Sequence, residues 1–152
     1  MLPTPKKFKV VAGAAEGSYQ LTAFDHALLE SGIGNINLVR VSSILPPGAQ
    51  QDQDLILSPG SLVPTAYAAI SCNDPGTLIS AAVGVGLSED SFGVIMEYSG
   101  YCSRSEAERR IEEMLKEAFK IRGLALKNTI VRGVEHSVEK NGAAVAAVVL
   151  WY

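Results

Sequence analysis

The stretch that decides the fold class is SRSEAERRIEEMLKEAFKIRG, residues 103–123. Its apolar residues recur every three or four positions, as on one face of an amphipathic helix, while Arg, Glu and Lys occupy the other face. Ser103 with Glu106 predicts a capping box at the start, and Gly123 predicts the end. We therefore expect a helix over 103–122 that buries one stripe, made of Ala107, Ile111, Met114, Leu115, Ala118 and Phe119.

Strands are predicted on both sides of this helix, where apolar and β-branched residues form short runs between turn signals. Residues 124–139 and 143–151 are expected to pair as a hairpin across a turn at 140–142. Residues 46–60 are rich in Pro, Gly, Gln and Asp, which predicts a surface loop. The full set of predicted strands is 8–14, 35–45, 61–73, 77–87, 92–98, 124–139 and 143–151.

A second helix is predicted within LTAFDHALLESGIG, residues 21–34, with Gly32 placed to end it. Seven or eight strands with only two helices predict an α+β fold. In this fold two stacked sheets carry the helices on their outer faces, as an αββα sandwich. The length of 152 residues suits one domain, which we expect to span 1–152.

Composition and charge exclude several classes of function. A net charge of −3 and a pI near 5.4 give no cationic face for a phosphate backbone, so nucleic acid is not an expected partner. The start MLPTPKKFKV has no apolar run behind its lysines, and no later segment has the length of a bilayer span. We therefore expect no membrane partner.

Cysteines and histidines are too sparse for a disulfide framework or a zinc site. Cys72 and Cys102 lie far apart, which predicts reduced thiols in a cytoplasmic protein. His26 and His136 have no metal-ligand spacing around them, so no metal is expected.

The residues by themselves indicate no familiar catalytic motif. The chain has no GxSxG elbow, and GIGNIN at 32–37 leads from a helix into a strand, the reverse of the dinucleotide-binding order. Ser42 and Ser43, taken alone, are two residues of the strand predicted over 35–45. Pattern alone therefore leaves the function open.

A resemblance covers essentially the whole chain. The stretch FDHALLESGIGNINLVRVSSILPP, residues 24–47, resembles the pyruvoyl-dependent arginine decarboxylases, whose processing site is a serine pair just before two prolines. The similarity continues in further segments along the sequence. These are VVAGAAEG at 10–17, GSLVPTAY at 60–67, GVIMEYSGYCS at 93–103, VEHSVEK at 134–140 and GAAVAAVVLWY at 142–152.

The resemblance implies that the chain cleaves itself between Ser42 and Ser43. The products would be 1–42 as the β chain and 43–152 as the α chain, and the cofactor would be a pyruvoyl group made from Ser43. A planar amide resists such an attack, so the bond must be strained or its oxyanion stabilised. Asn37 matches the family's processing helper, and its alternative role is an ordinary polar residue beginning a strand.

The resemblance also implies decarboxylation of L-arginine to agmatine and CO2, with the pyruvoyl group as electron sink. Glu97 matches the family's proton donor, and its apolar neighbours in GVIMEY are of the kind that keep a carboxyl protonated. Its alternative role is a strand residue that faces solvent.

The arginine side chain would be bound by Asp25, which matches an acidic residue that holds the guanidinium group. The alternative role of Asp25 is helix electrostatics, which is compatible with binding. Sites in this family form between subunits, so we expect a homotrimer or a dimer of trimers. The pocket walls implied by the resemblance are Leu21, Gly34, Ile36 and Ile44.

Two other functions stay open at this point. The same electron sink would serve a pyruvoyl decarboxylase that acts on another amino acid. Alternatively, the chain stays uncleaved and acts as a non-catalytic binding or assembly protein, since self-cleavage depends on geometry that a sequence does not display.

Overall fold

Two β-sheets stack face to face, with one helix on each outer face, in the computed structural model, which describes residues 2–152. This part of the chain contains two helices, α1 Gln20–Glu30 and α2 Arg104–Arg122. Its nine strands are β1 Lys7–Glu16, β2 Asn37–Arg40, β3 Ile44–Leu45, β4 Gln50–Gln51, β5 Leu62–Cys72, β6 Leu78–Leu87, β7 Gly93–Gly100, β8 Asn128–Ser137 and β9 Gly142–Trp151. The predicted single-domain α+β sandwich is confirmed.

The five-stranded sheet has the order β2-β5-β9-β1-β4, and the four-stranded sheet has the order β3-β7-β6-β8. Strand β9 lies at the centre of the first sheet and is buried from Gly142 to Leu150. One set of its alternating residues, which includes Val148, faces the four-stranded sheet, and the other set, which includes Val145, faces α1. Its unbroken run of Ala and Val therefore suits a strand covered on both faces.

Two glycines on β6 let α2 approach the four-stranded sheet closely. A Cβ added at Gly86 would lie 2.5 Å from Cε1 of Phe119, and one added at Gly84 would meet the side chain of Ile111. Ile111 and Phe119 belong to the apolar stripe predicted for this helix, and both are almost fully buried. Small residues on β6 and large residues on α2 thus form an apolar layer between the four-stranded sheet and this helix.

The ends of both helices follow the predicted signals, with one difference. Gly32 and Gly123 adopt φ of +79° and +66° just beyond the helices, a left-handed conformation that glycine takes without steric cost. Ser103 Oγ accepts a hydrogen bond from the Glu106 amide at 3.2 Å. The Glu106 carboxylate accepts instead from Arg109 and Arg110, so only half of the predicted capping box forms.

The strand predicted over 35–45 is divided between the two sheets. Residues 37–40 form β2 on the edge of the five-stranded sheet, and 44–45 form β3 on the edge of the four-stranded sheet. The prediction of one continuous strand was wrong, because alternation of polar and apolar residues does not reveal where a chain changes sheets. The segment 41–43 is the crossover, and it contains both serines.

The hairpin predicted for the C-terminus was also wrong. Strand β8 pairs with β6, whereas β9 pairs with β1 and β5 in the other sheet. The turn near 140–142 therefore joins the sheets, and Glu16 of β1 stabilises it by accepting hydrogen bonds from the Lys140 and Asn141 amides at 2.8 and 3.1 Å. A turn signal specifies a reversal of the chain, and the pairing partner is chosen by tertiary packing.

Candidate active site

The serine pair lies at the crossover between the two sheets. Immediately before it, the Val41 amide donates to Thr65 O at 3.1 Å in the five-stranded sheet. The carbonyl oxygen of Ser43 accepts from the Ile95 amide at 2.7 Å in the four-stranded sheet. Ser42 is exposed and Ser43 is half-buried. The peptide bond between them is therefore bracketed by two anchored strands and is open to solvent on one side.

The backbone around the serine pair has no left-handed residue. Among residues 2–152, positive φ angles occur only at glycines. Attack on a planar amide requires either a strained backbone or a stabilised oxyanion, and these angles show no left-handed strain at the serine pair. Attack on the bond between the serines would therefore depend on hydrogen-bond donors that stabilise the oxyanion.

Glu97 lies on β7, two residues beyond the Ile95 amide that binds Ser43. Ile95 packs in the apolar layer between the sheets, and Val94 packs against α2, so alternation directs Glu97 towards the inter-sheet side. Its carboxyl group is half-buried. Burial raises the pKa of Glu97 above its ordinary value, and the positive charge of Arg40 offsets part of that rise.

Arg40 and Tyr67 form a stacked pair at the edge of the five-stranded sheet, on the face that α1 covers, and the sequence did not identify either of them. The Arg40 guanidinium lies 3.9 Å from the centroid of the Tyr67 ring, and Nη1 donates to Tyr67 O at 2.9 Å. Such stacking holds a guanidinium group in place. The only signal in the sequence was the position of Arg40, two residues before the serine pair.

Asn37 lies at the start of β2 and is exposed. Its backbone amide donates to Ser61 O at 2.8 Å, and its side-chain Nδ2 donates to Gly60 O at 3.1 Å. The side chain therefore braces the loop that precedes β5. In this chain the amide is directed to that loop and not to the serine pair.

Asp25 and Leu21 lie one helical turn apart on the exposed face of α1. The opposite face of α1 packs on the outer side of the five-stranded sheet through Ala23 and Ala27. Thr22 caps the helix by hydrogen bonds with the backbone of Tyr19 and not with Asp25. Asp25 is therefore available to a ligand, on the far side of the sheet from the layer that Glu97 faces.

The remaining expected wall residues divide between two cavities. Gly34 and Ile36 line a cavity of about 390 Å³ together with Leu29 and Ile56. Ile44 is 41% exposed and lines a separate cavity of about 270 Å³, which also includes Ser42 and Tyr152. One copy of the chain thus brings Ser43, Ile44 and Glu97 to one region, and it holds Asp25, Leu21, Gly34 and Ile36 elsewhere.

Within residues 2–152, no cluster of three or more His, Cys, Asp or Glu side chains is arranged to hold a metal ion. In the same residues, neither helix combines the length and apolar character required to cross a membrane.

Comparison with known proteins shows which family this chain resembles over nearly its whole length. Residues 7–152 match the model of the family described as pyruvoyl-dependent arginine decarboxylase. A protein of that name from Methanocaldococcus jannaschii is 49% identical over 150 residues, which cover 97% of this chain and 91% of the relative. Another from Pyrococcus abyssi is 49% identical over 152 residues, which cover 97% of this chain and 96% of the relative.

These similarities define the class of protein as a decarboxylase enzyme. The chain belongs to the pyruvoyl-dependent arginine decarboxylase family. The resemblance stated from the sequence is thereby confirmed, as is the prediction that the protein is an enzyme. The family name implies a pyruvoyl cofactor and arginine as substrate.

Proposed function

We propose that the protein cleaves itself between Ser42 and Ser43 and then decarboxylates L-arginine to agmatine and CO2. The observation that carries this proposal is the position of Ser43, whose carbonyl oxygen is bound at 2.7 Å by the strand that bears the half-buried Glu97. The family of the chain supports the choice of substrate and cofactor.

The bond that is cleaved in self-processing is broken by the Ser43 hydroxyl, and water enters only in the last step. The Ser43 hydroxyl oxygen attacks the carbonyl carbon of Ser42, and the peptide bond is replaced by an ester. β-Elimination then removes the Cα proton of residue 43 to a base and breaks the Oγ–Cβ bond, which leaves a carboxylate on Ser42 and dehydroalanine at position 43. Hydrolysis of dehydroalanine releases ammonia and yields the pyruvoyl group. Residues 1–42 and 43–152 become the β and α chains.

The surroundings of Ser43 fit the origin of such a group. Its carbonyl oxygen remains bonded to the Ile95 amide in the α chain, so the new N-terminus stays beside β7. Ser42 is exposed, so the new C-terminus has room to move away. Asn37 is the proposed processing helper. Its exposed amide lies on an edge strand, where a second copy of the chain has access to it.

In decarboxylation, the pyruvoyl group supplies the electron sink at the substrate's amino group. Glu97 delivers a proton to the α-carbon after CO2 leaves. Its burial supports this role, because a carboxyl group with a raised pKa keeps its proton closer to neutral pH. Asp25 holds the substrate guanidinium through paired charge-assisted hydrogen bonds.

The complete site forms between subunits of a homotrimer or of a dimer of trimers. Asp25 and Leu21 lie on the outer face of α1, away from Ser43 and Glu97 in the same chain. A neighbouring copy that presents its α1 to this corner joins the two halves. Leu21 is 75% exposed and Ile44 is 41% exposed, and both are available as apolar walls of a shared pocket with Gly34 and Ile36.

The experiment that tests the proposal starts with intact-mass spectrometry of the denatured protein. We expect two chains, 1–42 and 43–152, the larger lighter by one ammonia than a chain beginning with serine. Ser43→Ala is the matched control and stays intact. The cleaved protein is then given arginine, ornithine or lysine, and product amines are separated by chromatography. An uncleaved wild-type chain, or turnover of ornithine or lysine in preference to arginine, overturns the proposal.

A further inference from the structure

The cavity of about 390 Å³ on the outer side of the five-stranded sheet has one charged residue, Lys9, in its lining within residues 2–152. Lys9 of β1 is paired with Val149 of β9, and Val149 packs in the apolar layer beneath α1. Residues directly opposite each other on paired strands point to the same face, so Lys9 faces that layer. Small-molecule sites have volumes of about 300–1,000 Å³, a range that includes this cavity. No step of the proposed function uses Lys9.

The segment 52–59 forms one wall of this cavity and is held near both ends. Gln53 Oε1 accepts from the Val10 amide at 2.8 Å, and Gln53 Nε2 donates to Val10 O at 2.9 Å. Beyond the other end, the Gly60 amide donates to Asn35 O at 2.8 Å. The residues of this segment that line the cavity are Leu55, Ile56, Leu57 and Pro59. The wall is therefore fixed to β1 on one side and to the loop after α1 on the other.

Most of the other side chains that line the cavity are apolar. Ile33 is buried, whereas Leu29 is 48% exposed and Ile56 is 93% exposed. Exposed apolar surface that a ligand removes from water contributes favourably to binding, roughly in proportion to its area. The lining therefore suits a ligand with an apolar body.

The ammonium group of Lys9 has no carboxylate partner within residues 2–152, although the side chain is half-buried. Its one hydrogen bond goes to Leu55 O at 3.4 Å, which is long for a bond of this kind. An ammonium group carries three N–H donors, so two stay available. A positive charge that is partly removed from water is stabilised by an anion that accepts these hydrogen bonds.

The acceptors on the elements around the cavity have other partners. Asp52 Oδ1 accepts from the Asp54 amide at 3.2 Å, and Asp54 is itself exposed. Glu30 Oε1 lies 3.4 Å from His26 Nε2 on the same helix. The carbonyl oxygens of residues 27–29, at the end of α1, accept from backbone amides just beyond the helix. The protein groups named here therefore leave the charge of Lys9 uncompensated.

We propose that this cavity binds a small monocarboxylate with an apolar body. The carboxylate accepts hydrogen bonds from Lys9 Nζ, and the apolar body lies against the apolar lining described above. Lys9 repels cations, so neither arginine nor agmatine is the ligand of this cavity. Gly34 and Ile36 line the cavity and are also proposed walls of the arginine pocket, so the two sites adjoin.

The test compares hexanoate, hexanol and hexylamine, which share an apolar chain and differ in charge. Binding to the wild-type protein is followed by methyl NMR, and Ile56→Val identifies the Ile56 signal. Hexanoate should shift this signal and bind about 10- to 150-fold more tightly than hexanol, the range expected of a charged hydrogen bond, and hexylamine should bind most weakly. Lys9→Met should bind hexanoate no better than hexanol. Lys7→Met, which removes an exposed lysine from the same face of β1, is the matched control and should keep the wild-type preference.

Lys9→Arg keeps the charge and should also retain the preference for hexanoate, and thermal unfolding of each variant detects loss of fold. Equal affinities of the wild type for hexanoate and hexylamine would overturn the inference. So would a Lys9→Met protein that is folded and binds hexanoate like the wild type, or a wild type with no saturable hexanoate binding. Because binding is measured and not turnover, these results do not depend on whether the protein decarboxylates arginine.

Discussion

The carbonyl oxygen of Ser43 accepts a hydrogen bond from the Ile95 amide at 2.7 Å, which ties the serine pair to the strand that carries Glu97. Ser43, which is proposed to act in self-cleavage, and Glu97, which is proposed to act in decarboxylation, are thus both positioned by residues 95–97 of β7. Their contributions should nevertheless be separable by substitution, because self-cleavage needs the Ser43 hydroxyl and decarboxylation needs an acid.

Glu97→Gln should cleave normally and decarboxylate about 10²- to 10⁴-fold more slowly, the range typical of a lost general acid. The amide keeps the size of the side chain and removes its proton. Intact mass measures cleavage, and agmatine formation measures turnover. Full turnover by the variant, or a chain that stays uncleaved, would contradict this division of roles. In the wild type, activity should fall as the pH rises through the raised pKa of Glu97.

Asp25→Asn should raise KM for arginine by roughly 10- to 150-fold, which corresponds to the loss of about 1.5–3 kcal/mol from a charged hydrogen bond. Cleavage should be unaffected, because Asp25 is exposed on α1 and distant from the serine pair in its own chain. Glu30→Gln, an exposed carboxylate later on the same helix, is the control and should bind arginine like the wild type. Equal arginine kinetics in Asp25→Asn and wild type would exclude Asp25 as the guanidinium partner.

Glu16→Gln should destabilise the fold by roughly 1–3 kcal/mol, because the carboxylate accepts several hydrogen bonds at the link between the sheets. These come from His136 Nε2 at 2.6 Å and from the Lys140 and Asn141 amides. Urea unfolding at neutral pH measures the change. Glu139→Gln removes an exposed carboxylate nearby and should have little effect. An unfolding free energy equal to that of the wild type would show that the link does not depend on this charge.

The stability that Glu16 contributes should also depend on pH. Burial acts to raise the pKa of Glu16, but hydrogen bonds from His136, Lys140 and Glu139 outweigh it and hold the pKa below its ordinary value of 4.5. A carboxyl group with a lowered pKa in the folded state stabilises fully above its unfolded pKa and loses that contribution as the pH falls. The difference between wild type and Glu16→Gln should therefore be constant at neutral pH and shrink below about pH 4.

Gly84→Ala should cost about 1–3 kcal/mol, because the added methyl group meets the Ile111 side chain in a closely packed layer. Urea unfolding of the single variants and of the Gly84→Ala, Ile111→Ala double variant forms a cycle. The double variant should be less destabilised than the sum of the two, since a smaller residue at 111 admits the methyl group. Additive costs would indicate that the helix shifts instead of clashing.

The elements with strong local signals were predictable from the sequence. The apolar stripe before Gly123 predicted α2. The apolar runs predicted β5, β6, β7 and β9 with bounds that lie within a few residues of the observed ones. Local signals failed where long-range pairing decides the outcome. The chain passes from one sheet to the other within 41–43, and β9 lies in a different sheet from β8. No local feature of the sequence indicates either arrangement.

In the candidate site too, single residues were predictable, whereas the contacts between them depend on long-range pairing. Ser42, Ser43 and Glu97 were located through the resemblance, but their proximity depends on the pairing of β3 with β7, 50 positions apart in the register Ile44 to Val94. Arg40 and Tyr67 escaped prediction because their contact depends on β2 ending early beside β5. Asn37 was matched by position, and its bond to Gly60 O was not foreseeable from alternation.

The proposed cut between Ser42 and Ser43 would change the molecularity of unfolding, because of its position within the topology. The fragment 1–42 contributes β1, α1 and β2, and β1 lies between β9 and β4 with ten residues paired to β9. After cleavage, this interior strand is retained by non-covalent contacts alone, as in a permanent two-chain complex. Unfolding of a cleaved protomer then releases two molecules instead of one. Its midpoint should rise with protein concentration, even before any contribution from neighbouring subunits is considered.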